Sequence, residues 1–85
     1  MSIRGLTKVP KKDATTIKRE LADIGKTFQD RRKELGLTQE RFAEIMDVNV
    51  NSIKYIEQGR RIPSMPMFLR ILKALKLSIT LSPRR

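Results

Sequence analysis

Apolar side chains recur at helical spacing through most of the chain, and interruptions divide the pattern into separate helices. Between Thr38 and Gly59 the spacing predicts two short helices joined by a tight turn. Their apolar positions are Phe42, Ile45, Met46, Ile53 and Ile56. Thr38 and Asn49 are suitable N-caps, and Gly59 can end the second helix because glycine tolerates left-handed backbone. Helices this short are unstable alone, so flanking helices must complete the core.

Two flanking segments show further helical patterns. The upstream stripe consists of Ile17, Leu21, Ile24, Phe28 and Leu35. This segment forms either one helix or two, and Gly25 marks either a bend or a close helix crossing. Downstream, Ser64 can cap another helix. The apolar positions of that helix are Met67, Leu69, Ile71, Leu72 and Leu75.

The N-terminal segment, residues 1–16, is basic and contains the helix breakers Gly5 and Pro10. Three alternatives remain open for it: a flexible arm, an edge strand, or a segment that follows DNA phosphates. The predicted domains are therefore this arm, a helical domain at 17–77, and a strand with a basic tail at 78–85.

The C-terminal segment alternates polar and apolar side chains in the manner of a β-strand, and Pro83 stops it. The predicted strand residues are Ser78, Ile79, Thr80 and Leu81. A lone strand leaves backbone groups unpaired, so its partner is either residues 3–9 or the same strand of a second subunit. The second arrangement closes a two-fold homodimer.

The charge of the chain favours a polyanionic partner. It contains 19 Lys and Arg against 9 Asp and Glu, a net charge of +10, and seven cations but no acid follow Glu57. Nucleic acid or an anionic membrane surface would match this balance. No apolar run reaches membrane-spanning length, and residues 1–10 lack the apolar core of a signal peptide. We therefore expect a cytoplasmic protein with no membrane partner.

Cysteine and histidine are both absent from the sequence. Thiolate or imidazole metal sites and histidine-based catalytic triads are therefore impossible, and there is no glycine-rich phosphate loop. We expect no enzyme, no catalytic residue, no metal and no cofactor.

The run Leu35–Glu40 (LGLTQE), followed by Ile53–Gly59, resembles the helix-turn-helix of XRE-type (Cro/cI-type) DNA-binding proteins over residues 23–77. The resemblance implies an all-α, repressor-like bundle of four to five helices, and it favours a helix start near Leu21. Asp47 stands where the family most often has glycine, and aspartate adopts left-handed backbone more readily than most residues.

The resemblance also implies one internal contact. In repressors of this type, an arginine and a glutamate at the positions of Arg32 and Glu57 form a partly buried ion pair. We therefore expect these two residues to stabilise the fold rather than to contact DNA.

The outer side of the second motif helix is predicted to read double-stranded DNA. The protein would bind an inverted repeat as a homodimer. The predicted base-reading residues are Val50, Asn51, Lys54 and Tyr55. Asn51 can pair with adenine through one donor and one acceptor, and Lys54 can donate to guanine or to a phosphate. The predicted phosphate-binding residues are Thr38, Gln39, Asn49, Ser52, Arg60 and Arg61.

The ending ALKLSITLSPRR, placed directly after the helical pattern, looks like that of the HipB-type antitoxins. In those proteins C-terminal strands pair across the dimer, and a HipA-type serine/threonine kinase is the toxin. The resemblance implies a bacterial, nucleoid-associated antitoxin that represses its own operon. A free-standing repressor, or a basic helical adaptor for an acidic protein, remains the alternative.

Overall fold

The structure, a computed structural model, describes the backbone of residues 14–83 and the side chains from residue 17 to residue 83. This part of the chain contains four helices: α1 (Ala14–Glu34), α2 (Gln39–Met46), α3 (Val50–Glu57) and α4 (Met65–Ala74). The prediction of an all-α bundle is confirmed for the described residues. Most of the predicted arm, residues 1–13, lies outside them.

Helix α1 is one continuous helix rather than two. It begins at Ala14, inside the predicted arm, and the expectation of a helix start near Leu21 is wrong. Gly25 marks a close crossing and not a bend, since a Cβ there would lie 2.5 Å from the carbonyl oxygens of Ile56 and Glu57. Without a side chain at this position, α1 can pass directly against the end of α3.

The three short helices begin at the side-chain caps that the sequence predicts. The Thr38 hydroxyl accepts from the third residue of α2 at 3.0 Å, Asn49 from the second residue of α3 at 2.8 Å, and Ser64 from the third residue of α4 at 3.2 Å. Each bond satisfies a backbone N–H that has no partner inside its helix. Gly59 follows the end of α3 with a φ of 72°, the left-handed conformation expected there.

The core lies where α2, α3 and α4 meet the second half of α1. Its buried apolar residues are Phe28, Phe42, Ala43, Met46, Ile53, Ile56, Ile71, Leu72 and Leu75. The Phe28 ring packs against that of Phe68 with centroids 5.8 Å apart. Phe42 and Ile53 are almost completely enclosed, so α2 and α3 turn their apolar sides toward one centre.

Four predicted core positions are instead about half exposed. Ile17 and Ile24 lie in the first half of α1, before it crosses α3 at Gly25. Ile45 and Leu69 are each 49% exposed, because other side chains of α2 and α4 occupy the sides that face the core. The apolar stripes in the sequence are therefore wider than the surfaces that this single chain buries.

The segment after α4 has no regular secondary structure over residues 77–83 of the single chain described. Within it, Ile79 and Leu81 are exposed. A strand at this position, paired across a dimer, stays a prediction. None of the four described helices combines the length and the apolar character needed to cross a membrane.

Candidate nucleic-acid interface

Helix α3 has one side in the core and one side in solvent. On the inner side, Ile53 and Ile56 are 1% and 5% exposed. On the outer side, Asn51 and Tyr55 are exposed and Lys54 is half-buried. An amide, a phenol and an ammonium group are therefore displayed together along two successive turns of one helix.

The turn between α2 and α3 fixes how α3 leaves the core. Asp47 adopts the left-handed backbone that the sequence predicts, with a φ of 55°, and its N–H donates to the carbonyls of Ala43 and Glu44. The Val48 N–H donates to the carbonyl of Ala43 at 3.0 Å. Val50 opens α3 and is half-buried against the core, so only part of this predicted base reader is accessible to DNA.

Arg32 and Glu57 form a bidentate buried ion pair. Nε of Arg32 donates to Oε2 of Glu57 at 2.7 Å and Nη2 donates to Oε1 at 3.1 Å, with side chains only 6% and 3% exposed. Nη1 of Arg32 donates to the carbonyl of Leu37 at 2.6 Å. Two parallel charge-assisted bonds offset the cost of burying both charges, and they tie α1 to the last residue of α3.

Gln39 takes part in the same network. Its side-chain nitrogen donates to Oε1 of Glu57 at 3.0 Å, and the residue is half-buried. One amide hydrogen is therefore used inside the protein. A phosphate at the start of α2 would be bound by the second amide hydrogen and by backbone N–H groups of the first turn.

Two predicted phosphate-binding residues meet beside the first turn of α3. Nη1 of Arg61 donates to the Ser52 hydroxyl at 2.9 Å, which brings a guanidinium from the loop after α3 back to the start of that helix. Asn49, the exposed cap of α3, precedes Ser52 by three residues. Thr38 lies at the start of α2 instead, where its hydroxyl accepts from its own helix and keeps its hydrogen for a further bond.

Arg60 lies on the outer side of α3. Its guanidinium carbon is 5.7 Å from the centroid of the Tyr55 ring, within the range of a cation–π contact. Among the described residues, Lys54, Arg60 and Arg61 form no ion pair, whereas Arg41 pairs with a carboxylate of its own helix at 3.0 Å. The outer side of α3 and the loop after it therefore carry cations that no described carboxylate neutralises.

Comparison with known proteins identifies this arrangement. A family model described as helix-turn-helix matches residues 28–81. The chain belongs to the XRE-type helix-turn-helix family. A protein of Methanothermobacter thermautotrophicus, described as an uncharacterized HTH-type transcriptional regulator, is 47% identical over 48 residues, which cover 56% of this chain and 70% of that protein. A helix-turn-helix chain of this type is a DNA-binding regulator.

Several contacts of this helix-turn-helix were not predicted from the sequence. Among them are the bond from Gln39 to Glu57 and, second, the cation–π contact of Arg60 with Tyr55. A signal exists for the second: Arg60 follows the glycine that ends the helix, and its N–H donates to the carbonyl of Tyr55, five residues earlier, at 2.8 Å. For Gln39 no local signal exists, because its partner is 18 residues away.

Proposed function

We propose that this helix-turn-helix protein is a sequence-specific transcriptional repressor that inserts α3 into the major groove of double-stranded DNA. The division of α3 supports the proposal: Ile53 and Ile56 anchor it in the core while its polar side faces solvent. A relative described as a transcriptional regulator supports the same class of function.

In this proposal the residues have two kinds of role. Val50, Asn51, Lys54 and Tyr55 read base edges. The phosphate-binding residues are Thr38, Gln39, Asn49, Ser52, Arg60 and Arg61. Asn51 is the most selective reader, since an exposed carboxamide can both donate to and accept from adenine. Arg60 and Arg61 bind phosphates and therefore act on every sequence alike.

The test compares Asn51→Ala, Arg60→Ala and the control Lys73→Ala, an exposed cation on α4. Binding is measured by fluorescence anisotropy on a duplex selected from a random pool and on a scrambled duplex, at several salt concentrations. Asn51→Ala should reduce the preference for the selected duplex by about 1–3 kcal/mol. Arg60→Ala should weaken binding to both duplexes equally. It should also reduce the salt slope, which is the slope of log Kd against log salt concentration, by about 1. Equal losses in both variants on both duplexes would refute the assigned roles.

We further propose that the repressor is a homodimer that binds an inverted repeat, with strands formed by Ser78, Ile79, Thr80 and Leu81 pairing between subunits. Support comes from the exposure of Ile79 and Leu81, whose apolar side chains a partner strand would cover. Light scattering should give a dimer for the wild type and a monomer for the double variant Ile79→Asp/Leu81→Asp. The control variant is Ile45→Asp, because Ile45 is also an exposed apolar residue but lies on α2. This variant should stay dimeric.

The most specific form of the proposal is an antitoxin that neutralises a HipA-type kinase and represses the shared operon. Its support is the HipB-like ending directly after α4. Co-expression with the product of the neighbouring gene should yield a stable complex and relieve growth arrest. A free-standing repressor would bind its promoter but form no complex. An adaptor for an acidic protein would fail to shift its own promoter at physiological salt.

A further inference from the structure

An open groove of about 640 Å³ lies between the first half of α1 and the loop after α3. Leu21 and Ala22 of α1 and Ile62 of the loop give it an apolar floor. Its three cations are Lys18 and Arg19 from α1 and Arg60 from the loop, and its lining contains no carboxylate.

The walls of this groove are held together by direct backbone contact. Gly59 has a left-handed φ of 72°, and a Cβ on it would lie 2.7 Å from the Cα of Ala22. Helix α1 therefore packs against the end of α3 at Leu21 and Ala22. Lys18 and Arg19 lie one turn before Ala22 and line the groove together with Arg60.

Charge and continuity both indicate what the groove binds. Lys18 and Arg19 are exposed, and neither forms an ion pair with a described residue. Arg60 belongs both to the groove and, through its contact with Tyr55, to the outer side of α3. An anion that contacts Arg60 on the outer side of α3 is therefore close to Lys18 and Arg19 as well.

We infer that Lys18 and Arg19 form a second phosphate-binding site, which holds the duplex backbone where it leaves the major groove occupied by α3. The ligand is the phosphodiester backbone flanking the half-site, and the apolar floor suits the deoxyribose edges between phosphates. The inference rests on the proposed function. It extends the contact surface beyond the helix-turn-helix and adds affinity without sequence preference.

The experiment uses the full chain with the double variant Lys18→Gln/Arg19→Gln. The matched control is Lys33→Gln/Lys73→Gln, which removes two exposed cations outside the groove. Dissociation constants are measured at several salt concentrations on two versions of the selected duplex. One version has long flanking DNA on each side of the half-sites, and the other ends at the half-sites. With long flanks, the salt slope of the groove variant should be lower than that of the wild type by about 2. Its preference for the selected duplex over scrambled DNA should stay unchanged. Trimming should lower the wild-type slope by the same amount and leave the groove variant unaffected.

A groove variant whose salt slope equals that of the wild type would overturn the inference while leaving the proposed function intact. If that variant had also lost binding to polyglutamate, the groove would be assigned to an acidic protein. Failure of the wild type to prefer any duplex would instead contradict the proposed function itself. Melting curves should be unchanged in both variants because all four substituted side chains are exposed.

Discussion

The inner and outer sides of α3 differ in how their residues depend on one another. On the inner side, Ile53, Ile56 and Glu57 are buried. The carboxylate of Glu57 accepts hydrogen bonds from one side chain of α1 and one of α2. On the outer side, Asn51 and Tyr55 face solvent, and no described helix packs over them. If the outer side binds DNA as proposed, one short helix separates stability from recognition, and substitutions on the two sides should produce different kinds of defect.

The strongest test of the inner side breaks the buried ion pair. Arg32→Met or Glu57→Leu alone should lower the free energy of unfolding by about 3–5 kcal/mol, because each leaves one buried charge without its partner. The double variant should lose less than the sum of the two. Urea unfolding of all four proteins measures this, and simple additivity would show that the pair contributes no coupling.

The next test removes volume from each side of the motif. Ile53→Ala should cost about 3 kcal/mol, since its side chain is 1% exposed and a cavity would remain. Ile45→Ala, on the exposed side of α2, should cost within about 0.5 kcal/mol. Thermal unfolding compares the two, and equal losses would mean that Ile45 is covered, for example by a second subunit.

A third test uses two glycines with the same backbone conformation. Gly36 and Gly59 have φ values of 73° and 72°, so alanine should cost each about 1–2 kcal/mol in backbone strain. At Gly36 a Cβ meets nothing within 4 Å, whereas at Gly59 it meets the backbone of Ala22. Gly59→Ala should therefore cost about 1–3 kcal/mol more than Gly36→Ala. Equal melting temperatures would contradict the close packing of α1 against the end of α3.

The smallest expected effect is on the outer side. Tyr55→Leu removes the ring beneath Arg60, so binding to scrambled DNA should weaken by about 0.5–1 kcal/mol. Tyr55→Phe keeps the ring and should bind scrambled DNA as the wild type does. If both variants bind scrambled DNA equally weakly, the hydroxyl and not the ring supports the contact with phosphates.

Apart from the Arg32–Glu57 ion pair, which the family resemblance implied, the contacts predicted correctly from the sequence are local ones. Thr38, Asn49 and Ser64 act as caps through residues two or three positions away, and Asp47 adopts its unusual backbone within a single turn. Spacing could not reveal how much of each apolar stripe is covered, because the exposure of Ile45 depends on packing between distant segments.

The candidate site shows the same limit. The solvent exposure of Asn51 and Tyr55 follows from helical period once the inward residues are known. The hydrogen bond of Gln39 does not, because it joins residues that only the folded chain brings together.

Several arginine side chains donate hydrogen bonds to backbone carbonyls of the protein itself. Arg31 donates to the carbonyl of Leu75 at 2.9 Å, and Arg70 donates to that of Met46, so each satisfies an oxygen at the end of a helix. These guanidinium groups are already engaged before any DNA arrives. Binding should therefore displace fewer ions from the counterion atmosphere of DNA than a net charge of +10 suggests, and the number should reflect only the cations that are free to contact phosphates.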